Sequence, residues 1–372
     1  MQFSPQQDEA LKAVARWLKE GRPQVFRLFG YAGTGKTTLA RHFAEGLDGQ
    51  VQFAAFTGKA AQVLRSKGAV NARTIHSLIY RPRGEEAVED ESTGRTSMSP
   101  TFSLNRQSPV AKAKLIVVDE CSMVDEQLGR DLMSFGTPIL VLGDPAQLPP
   151  VAGGGFFTDS EPDAMLTEVH RQAKDDPIVR LSMEVREGRR LEPGRWGETE
   201  VVARQALDPE RVLGADQVLV GRNATRRAYN GRMRERRGFS DPLPTAGDKL
   251  VCLRNNRKKG LFNGGLWTVQ ERASSKAHIM TLRLRSEEDI GRRAKVSVRP
   301  ECFVGGIEEF EWKQRKAYDE FDYGYVLTVH KAQGSQWDSV ALFDESFAFQ
   351  EARARWLYTG ITRAAKRLTV VV

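Results

Sequence analysis

The chain has 372 residues, with 56 Lys+Arg against 48 Asp+Glu and a formal net charge of +8; at roughly 150 residues per domain, that length suggests two or three domains. Its 40% apolar and 28% charged residues exclude wholesale disorder, no run approaches the roughly 20 apolar residues of a membrane span, and MQFSPQQDEALK is no secretion signal. Cys121, Cys252 and Cys302 are too widely spaced for a disulfide framework or a zinc site and read as thiols of a cytoplasmic protein.

The charge is uneven. Residues 1–165 hold 18 basic and 19 acidic side chains, whereas residues 204–299 hold 22 and 10. A basic half beside a near-neutral one points to a polyanionic partner at one face.

In chain order, Ser4 is placed to cap a helix with Pro5 at its first position, and Leu11, Val14, Ala15 and Leu18 recur along one face. Gln7 either completes a capping box with Ser4 or offers its amide to the two-faced hydrogen-bonding edge of adenine. Val25–Phe29 is a short apolar strand. Behind it stands Gly30-Tyr31-Ala32-Gly33-Thr34-Gly35-Lys36-Thr37, a full G-x-x-x-x-G-K-T before the predicted helix Thr38–Ala44. The glycines let successive N–H groups point at phosphate, and the helix N-terminus adds positive potential. Gly33, Thr34, Gly35, Lys36, Thr37 and Thr38 therefore form the expected ATP cradle, with the Thr37 hydroxyl on Mg2+.

Further short apolar runs follow at Val51–Phe56, Leu115–Val118, Ile139–Leu142, Val218–Val220, Tyr325–Thr328, Val340–Phe343 and Leu368–Val372. Apolar strands alternating with helical stretches are the pattern of buried parallel sheets, so the fold class is α/β with two such sheets. Asp119-Glu120 ends one strand, Asp119 placed to hold Mg2+ and Glu120 to orient or deprotonate the attacking water. Gly143–Pro150 ends the next, and its Gln147 can sense the γ-phosphate or that water. Residues 81–112 are polar, with a turn signal at Thr93-Gly94, and read as a surface hairpin. Residues 245–305 alternate apolar and polar side chains around Asn263-Gly264-Gly265, as in a small inserted antiparallel barrel.

The order of these motifs resembles the superfamily 1 helicases, in the 1B branch that is RecD-like and Dda-like, over nearly the whole chain. Ser4–Gln7 is similar to the Q motif, Gly30–Thr38 to motif I, Phe56–Ala61 to motif Ia and Thr74–Ser77 to motif Ib. Asp119–Met123 resembles motif II, Gly143–Pro150 motif III, Val169–Gln172 motif IV, Thr328–Ser335 motif V and Tyr358–Ala364 motif VI. Phe56 stands where Pro is usual, and Gln336-Trp337 where an acidic residue and Phe are commoner; Gln336 can still bond a ribose hydroxyl.

The resemblance implies two RecA-like domains, 1A (1–80 and 113–165) and 2A (166–244 and 306–372), with ATP between them. It implies a pin insertion, 1B, at 81–112 and an SH3-like insertion, 2B, at 245–305. Arg171 and Arg363 would be arginine fingers. Thr57, Lys59, Thr74, His76, Thr328, His330 and Lys331 would touch the backbone of single-stranded DNA, and Phe102 would be the wedge at a single-strand/duplex junction. Arg222–Asn230 resembles motif IVa. The implied activity is 5′→3′ unwinding of DNA by a compact, free-standing enzyme in the cytoplasm of a bacterial or phage-infected cell, with single-strand-binding or replication and recombination proteins as partners. An RNA helicase or translocase, and a DNA-stimulated ATPase subunit of a larger complex, would carry the same motifs.

Overall fold

The computed structural model describes residues 3–90, 95–149, 155–168, 175–256, 259–273, 279–287, 291–311, 314–315 and 317–372, with the backbone alone at 82–90, 95–101 and 308. The chain divides into two compact units. The first comprises Met1–Tyr80, Leu104–Arg222 and Thr328–Val372, and the second Arg81–Ser103 and Asn223–Leu327.

Helix α1 (Pro5–Glu20) opens on a reciprocal cap. Ser4 Oγ accepts from the Gln7 N–H at 3.3 Å, and Gln7 Oε1 accepts from the Ser4 N–H at 3.1 Å. Its buried stripe is Gln7, Ala10, Val14 and Trp17, with Leu11 and Leu18 half-buried and Ala15 exposed. The predicted face is therefore corrected by a rotation. Trp17 takes the core position because its ring buries the most apolar area while its indole N–H still reaches the Pro23 carbonyl at 2.5 Å.

The first unit continues with β1 (Val25–Gly30), α2 (Lys36–Glu45), β2 (Val51–Ala55), α3 (Gly58–Ser66), β3 (Arg73–Thr74) and α4 (Ile75–Ile79). Strands β4 (Tyr80–Asp90) and β5 (Arg95–Leu104) pair as a two-stranded sheet lying mostly in the second unit. Then come β6 (Leu115–Asp119), α5 (Glu126–Met133), β7 (Ile139–Gly143) and β8 (Ala164–Leu166). The resulting sheet has the order β3-β2-β6-β7-β1-β8, with every pair parallel. Strand β6 shows why: Leu115 and Val117 enter a cluster with Val14, Leu39 and Leu64, whereas Ile116 and Val118 enter another with Ile75, Leu78 and Leu128. Both faces are covered, so the strand is apolar throughout. The parallel arrangement brings the carboxyl ends of β1, β6 and β7 to one edge, where ligands of open α/β sheets bind.

Helix α6 (Pro177–Arg186), β9 (Gly194–Trp196), β10 (Thr199–Val202) and β11 (Gln217–Val220) follow. The second unit then holds α7 (Asn223–Arg236), β12 (Lys249–Cys252), β13 (Leu266–Ala273), β14 (Met280–Ser286), β15 (Arg293–Val298) and β16 (Phe321–Tyr323). These five strands form an antiparallel sheet in the order β15-β14-β13-β12-β16, whose last strand lies beyond the predicted limit of 305. Along β14, Met280, Leu282, Leu284 and Ser286 are buried between more exposed neighbours, the period of a one-sided sheet. Strand β17 (Val326–Thr328) leads back to the first unit, which closes with β18 (Trp337–Phe343), α8 (Arg353–Ile361) and β19 (Ala364–Val371). There β11-β18-β19-β10 run parallel, with β9 antiparallel at the edge. Among the described residues no helix is long and apolar enough to cross a membrane.

Candidate functional site

The turn after β1 is built by glycines. Gly33 and Gly35 have φ of +78° and +80°, a region that side chains enter only with strain, and Gly35 leads directly into α2. Lys36 lies along this turn, donating from Nζ to the carbonyls of Gly30 at 2.5 Å and Tyr31 at 2.9 Å. Thr34 is fully buried, its hydroxyl donating to the Tyr31 carbonyl at 2.8 Å, and Thr38 is exposed on the first turn of α2. Gln7 does more than cap. Besides its bond to Ser4, its Nε2 donates to the Thr34 carbonyl at 3.0 Å and fixes the start of α1 to this turn.

The Thr37 hydroxyl donates to Asp119 Oδ2 at 3.0 Å, bringing the two expected Mg2+ ligands together from the start of α2 and the end of β6. Burial, reinforced by the charge of Glu120, raises the Asp119 carboxyl above the usual carboxylate range. Glu120 adopts φ +52°, a costly conformation for a residue with a Cβ, and lines the same cleft as Asp119. A hydroxyl, one carboxylate and substrate phosphate oxygens form a fitting donor set for Mg2+, which keeps few protein ligands. No cluster of three or more His, Cys, Asp or Glu that could hold a metal occurs among the described residues.

After β7, Asp144 is buried and accepts from the Ala146 N–H at 3.0 Å, folding the turn that carries Gln147. Gln147 is buried, and its Oε1 has no hydrogen-bond partner among the described residues. From the other sheet of this unit comes Arg363, also buried, which donates to the carbonyls of Thr359 at 3.0 Å and Ser335 at 3.2 Å. Its guanidinium stands 3.9 Å from Glu120. Lys36, Thr37, Asp119, Glu120, Gln147, Gln336 and Arg363 all line one cleft. Arg171, with motif IV, lies outside the described residues, as do Pro150 and the Thr93-Gly94 turn.

The expected strand contacts are placed differently from one another. The Thr57 and Thr74 side-chain oxygens accept from the N–H groups of Ala60 at 3.0 Å and Ser77 at 3.2 Å, which makes them the caps of α3 and α4. The Thr328 hydroxyl oxygen likewise accepts from the Lys331 N–H at 3.3 Å. Lys59 is largely buried. His76 is exposed with its ring 5.3 Å from that of Tyr80, while His330 packs 5.3 Å from Phe349 and burial lowers its pKa. Phe102, on β5, is 47% exposed.

Sequence reasoning missed four contacts that join distant segments. Tyr358 accepts from the Ala32 N–H at 2.9 Å and donates to Asp144 Oδ2 at 2.7 Å. Thr359 Oγ1 accepts from the Leu148 N–H at 2.9 Å. The Arg186 guanidinium lies 3.7 Å over the Tyr31 ring. The two α8 residues belong to motif VI, which marks their segment as functional; nothing near Arg186 marks it.

A family model described as an AAA domain matches residues 2–201, and one described as a UvrD-like helicase C-terminal domain matches residues 323–371. The chain is 29% identical to the ATP-dependent RecD2 DNA helicase of Deinococcus radiodurans, over 91% of this chain and 46% of that protein. It is 25% identical to the conjugal transfer protein TraA of Rhizobium radiobacter, over 91% of this chain and 30% of that one. The chain thus spans less than half the length of either relative. Among solved structures it shares the fold of the Bacteroides Pif1 helicase in complex with ADP-AlF3 and single-stranded DNA, with TM-score 0.57 and 18% identity over 100% of this chain and 92% of that one. The Candida albicans Pif1 helicase aligns with TM-score 0.54 and 16% identity, over 100% and 94%. The first model covers more than half of the sequence, so the chain belongs to the AAA domain family, on a mixed α/β fold with a RecA-like parallel sheet shared with Pif1 helicases.

Proposed function

We propose that this chain is an ATP-dependent DNA helicase of the RecD/Pif1-like branch, moving 5′→3′ along single-stranded DNA. The observation that carries the reading is the single cleft onto which Lys36, Asp119, Glu120 and Gln147 converge with Arg363 from the second sheet. In it, a water oxygen bonds to the γ-phosphorus while the bond to the β–γ bridging oxygen breaks, releasing ADP and phosphate. Glu120 and the partnerless Gln147 Oε1 accept the water's protons or hydrogen bonds, Lys36 holds the β/γ-phosphates, and Arg363 offsets charge on the transferring oxygens. Mg2+, held by Thr37 and Asp119, would neutralise phosphate charge. Gln7 and Gln336 are assigned to the base and ribose. The cleft works only with both sheets in place, so hydrolysis is coupled to their relative motion.

The first sheet is read as domain 1A and the second as 2A, the β4–β5 pair as the 1B pin with Phe102 as wedge, and the antiparallel sheet as an SH3-like 2B domain. Thr57, Lys59, Thr74, His76, Thr328, His330 and Lys331 line the proposed strand path. Thr57, Thr74 and Thr328 keep a hydroxyl proton for phosphate while their oxygens accept from backbone N–H groups. A backbone-reading path of this kind gives little sequence preference. Arg171 is assigned as a second finger, single-stranded DNA and fork junctions as substrates, and single-strand-binding or recombination proteins as partners in a cytoplasmic setting.

ATP turnover with and without single-stranded DNA tests the reading. Turnover is expected to rise on DNA addition and to fall at least about 100-fold in Lys36→Ala, with strand binding kept. Turnover indifferent to DNA, or retained in Lys36→Ala, would contradict it.

A further inference from the structure

Two successive residues of α8 hold both ends of the turn after β7. At one end the Tyr358 hydroxyl donates to Asp144 at 2.7 Å, and at the other the Thr359 hydroxyl oxygen accepts from Leu148 at 2.9 Å. Gln333 Nε2 adds a third bond, to the Leu148 carbonyl at 2.9 Å. Gln147, with its partnerless buried oxygen, sits between these anchors. Tyr358 also accepts from the Ala32 N–H at 2.9 Å, inside the phosphate-binding turn. Its hydroxyl thus accepts one bond and donates one, and joins three segments that are far apart in the chain. Tyr358 itself is almost fully buried and is not among the residues lining the cleft, whereas Ala32, Asp144 and Gln147 line it. Arg363 follows on the same segment, its Nε bonded to the Thr359 carbonyl.

We propose that Tyr358 is a positioning residue for hydrolysis: the Ala32–Tyr358–Asp144 relay sets the phosphate-binding turn, the Gln147 turn and the Arg363 segment in one register. The relay touches no reacting atom. It acts by fixing where the Gln147 acceptor and the Arg363 guanidinium stand relative to Lys36, and a small misplacement of such groups costs rate more than it costs binding. The proposal rests on the hydrolytic reading of the cleft given above.

Tyr358→Phe keeps the ring and removes both hydrogen bonds, leaving the Ala32 N–H and the Asp144 carboxylate without their partner. In DNA-stimulated ATP turnover, kcat is expected to fall at least about tenfold while KM for ATP stays within about threefold, the signature of interactions made in the transition state. Asp144→Asn, which can still accept from Ala146, replaces the acceptor of the Tyr358 proton by a donor and carries the test should Tyr358→Phe not fold. Its kcat is expected to fall similarly, and the double variant to be no slower than the worse single one. A thermal midpoint lowered with kcat unchanged would show a merely structural tyrosine and overturn the proposal; so would additive losses in the double variant. If the wild-type chain hydrolyses no ATP, the functional reading fails and the proposal falls with it. An active wild type with an unaffected Tyr358→Phe removes the proposal alone.

Discussion

Arg234 offers the sharpest test of how the basic charge is used. The sequence places it after the segment that resembles motif IVa, within the basic stretch 204–299 that points to a polyanionic partner. The structure buries it instead. Its Nε and NH2 bond Asp248 at 2.9 and 3.0 Å, and its guanidinium lies 4.2 Å over the Tyr323 ring. Asp248 is wholly buried and also accepts from the Thr245 N–H at 2.9 Å and the Tyr325 hydroxyl at 3.0 Å. Arg234→Met keeps most of the volume and leaves that carboxylate without its counter-charge. Breaking one side of a buried pair costs roughly 3–5 kcal/mol; the remaining hydrogen bonds, from the Thr245 N–H and hydroxyl and the Tyr325 hydroxyl, favour the lower end, about 3 kcal/mol. With an m-value of about 1–3 kcal/mol/M, the urea midpoint should move down by about 1–3 M. The salt dependence of single-strand binding, measured on the same variant under folding conditions, should not change, because Arg234 reaches no phosphate. Arg232 and Arg236, exposed on the same helix, should behave oppositely on neutralisation: stability unchanged within about 0.5 kcal/mol, and a salt slope reduced by about 0.7 for each phosphate no longer neutralised. An unshifted midpoint with a reduced slope in Arg234→Met would refute the reasoning.

Three further outcomes are expected. Arg363→Ala should lower DNA-stimulated kcat by about 10³-fold with little change in strand affinity; single-turnover kinetics would expose a smaller or purely binding effect. Phe102→Ala should slow duplex unwinding by the loss of about 1–3 kcal/mol of stacking and leave DNA-stimulated ATPase intact, and an unaltered unwinding rate would remove it as the wedge. Chelation with EDTA should stop ATP turnover, and added Mg2+ should restore it; turnover that persists in EDTA speaks against the Thr37–Asp119 site.

The parallel sheets are legible in the sequence because both-sided burial leaves unbroken apolar runs, and the phosphate turn because only glycine suits its positive-φ positions. Local periodicity was a weaker guide in α1, where the bulk of Trp17 decided which face turned inward. Composition misled most in the basic stretch. Arg226 pairs with Asp322 at 2.6 Å, and Arg254 with Glu320 at 3.3 Å, using acids that lie beyond that stretch in the chain. Part of the local charge excess is therefore neutralised by the fold. Thr57 and Thr74 show a different limit: a threonine three residues before the N–H it caps has a structural use, whatever else it contacts. The Tyr358 link could not be read at all. It joins residues 214 apart, and nothing local in either segment encodes that meeting.

The measurement that bears most directly on the central claim is ATP-driven strand displacement on duplexes carrying only a 5′ or only a 3′ single-stranded tail, in DNA and RNA versions. Displacement of the 5′-tailed DNA duplex is expected, and none without ATP. Displacement confined to 3′-tailed substrates would contradict the assigned polarity and branch, and preference for RNA tails, or no displacement by an active ATPase, would contradict the proposed DNA helicase activity.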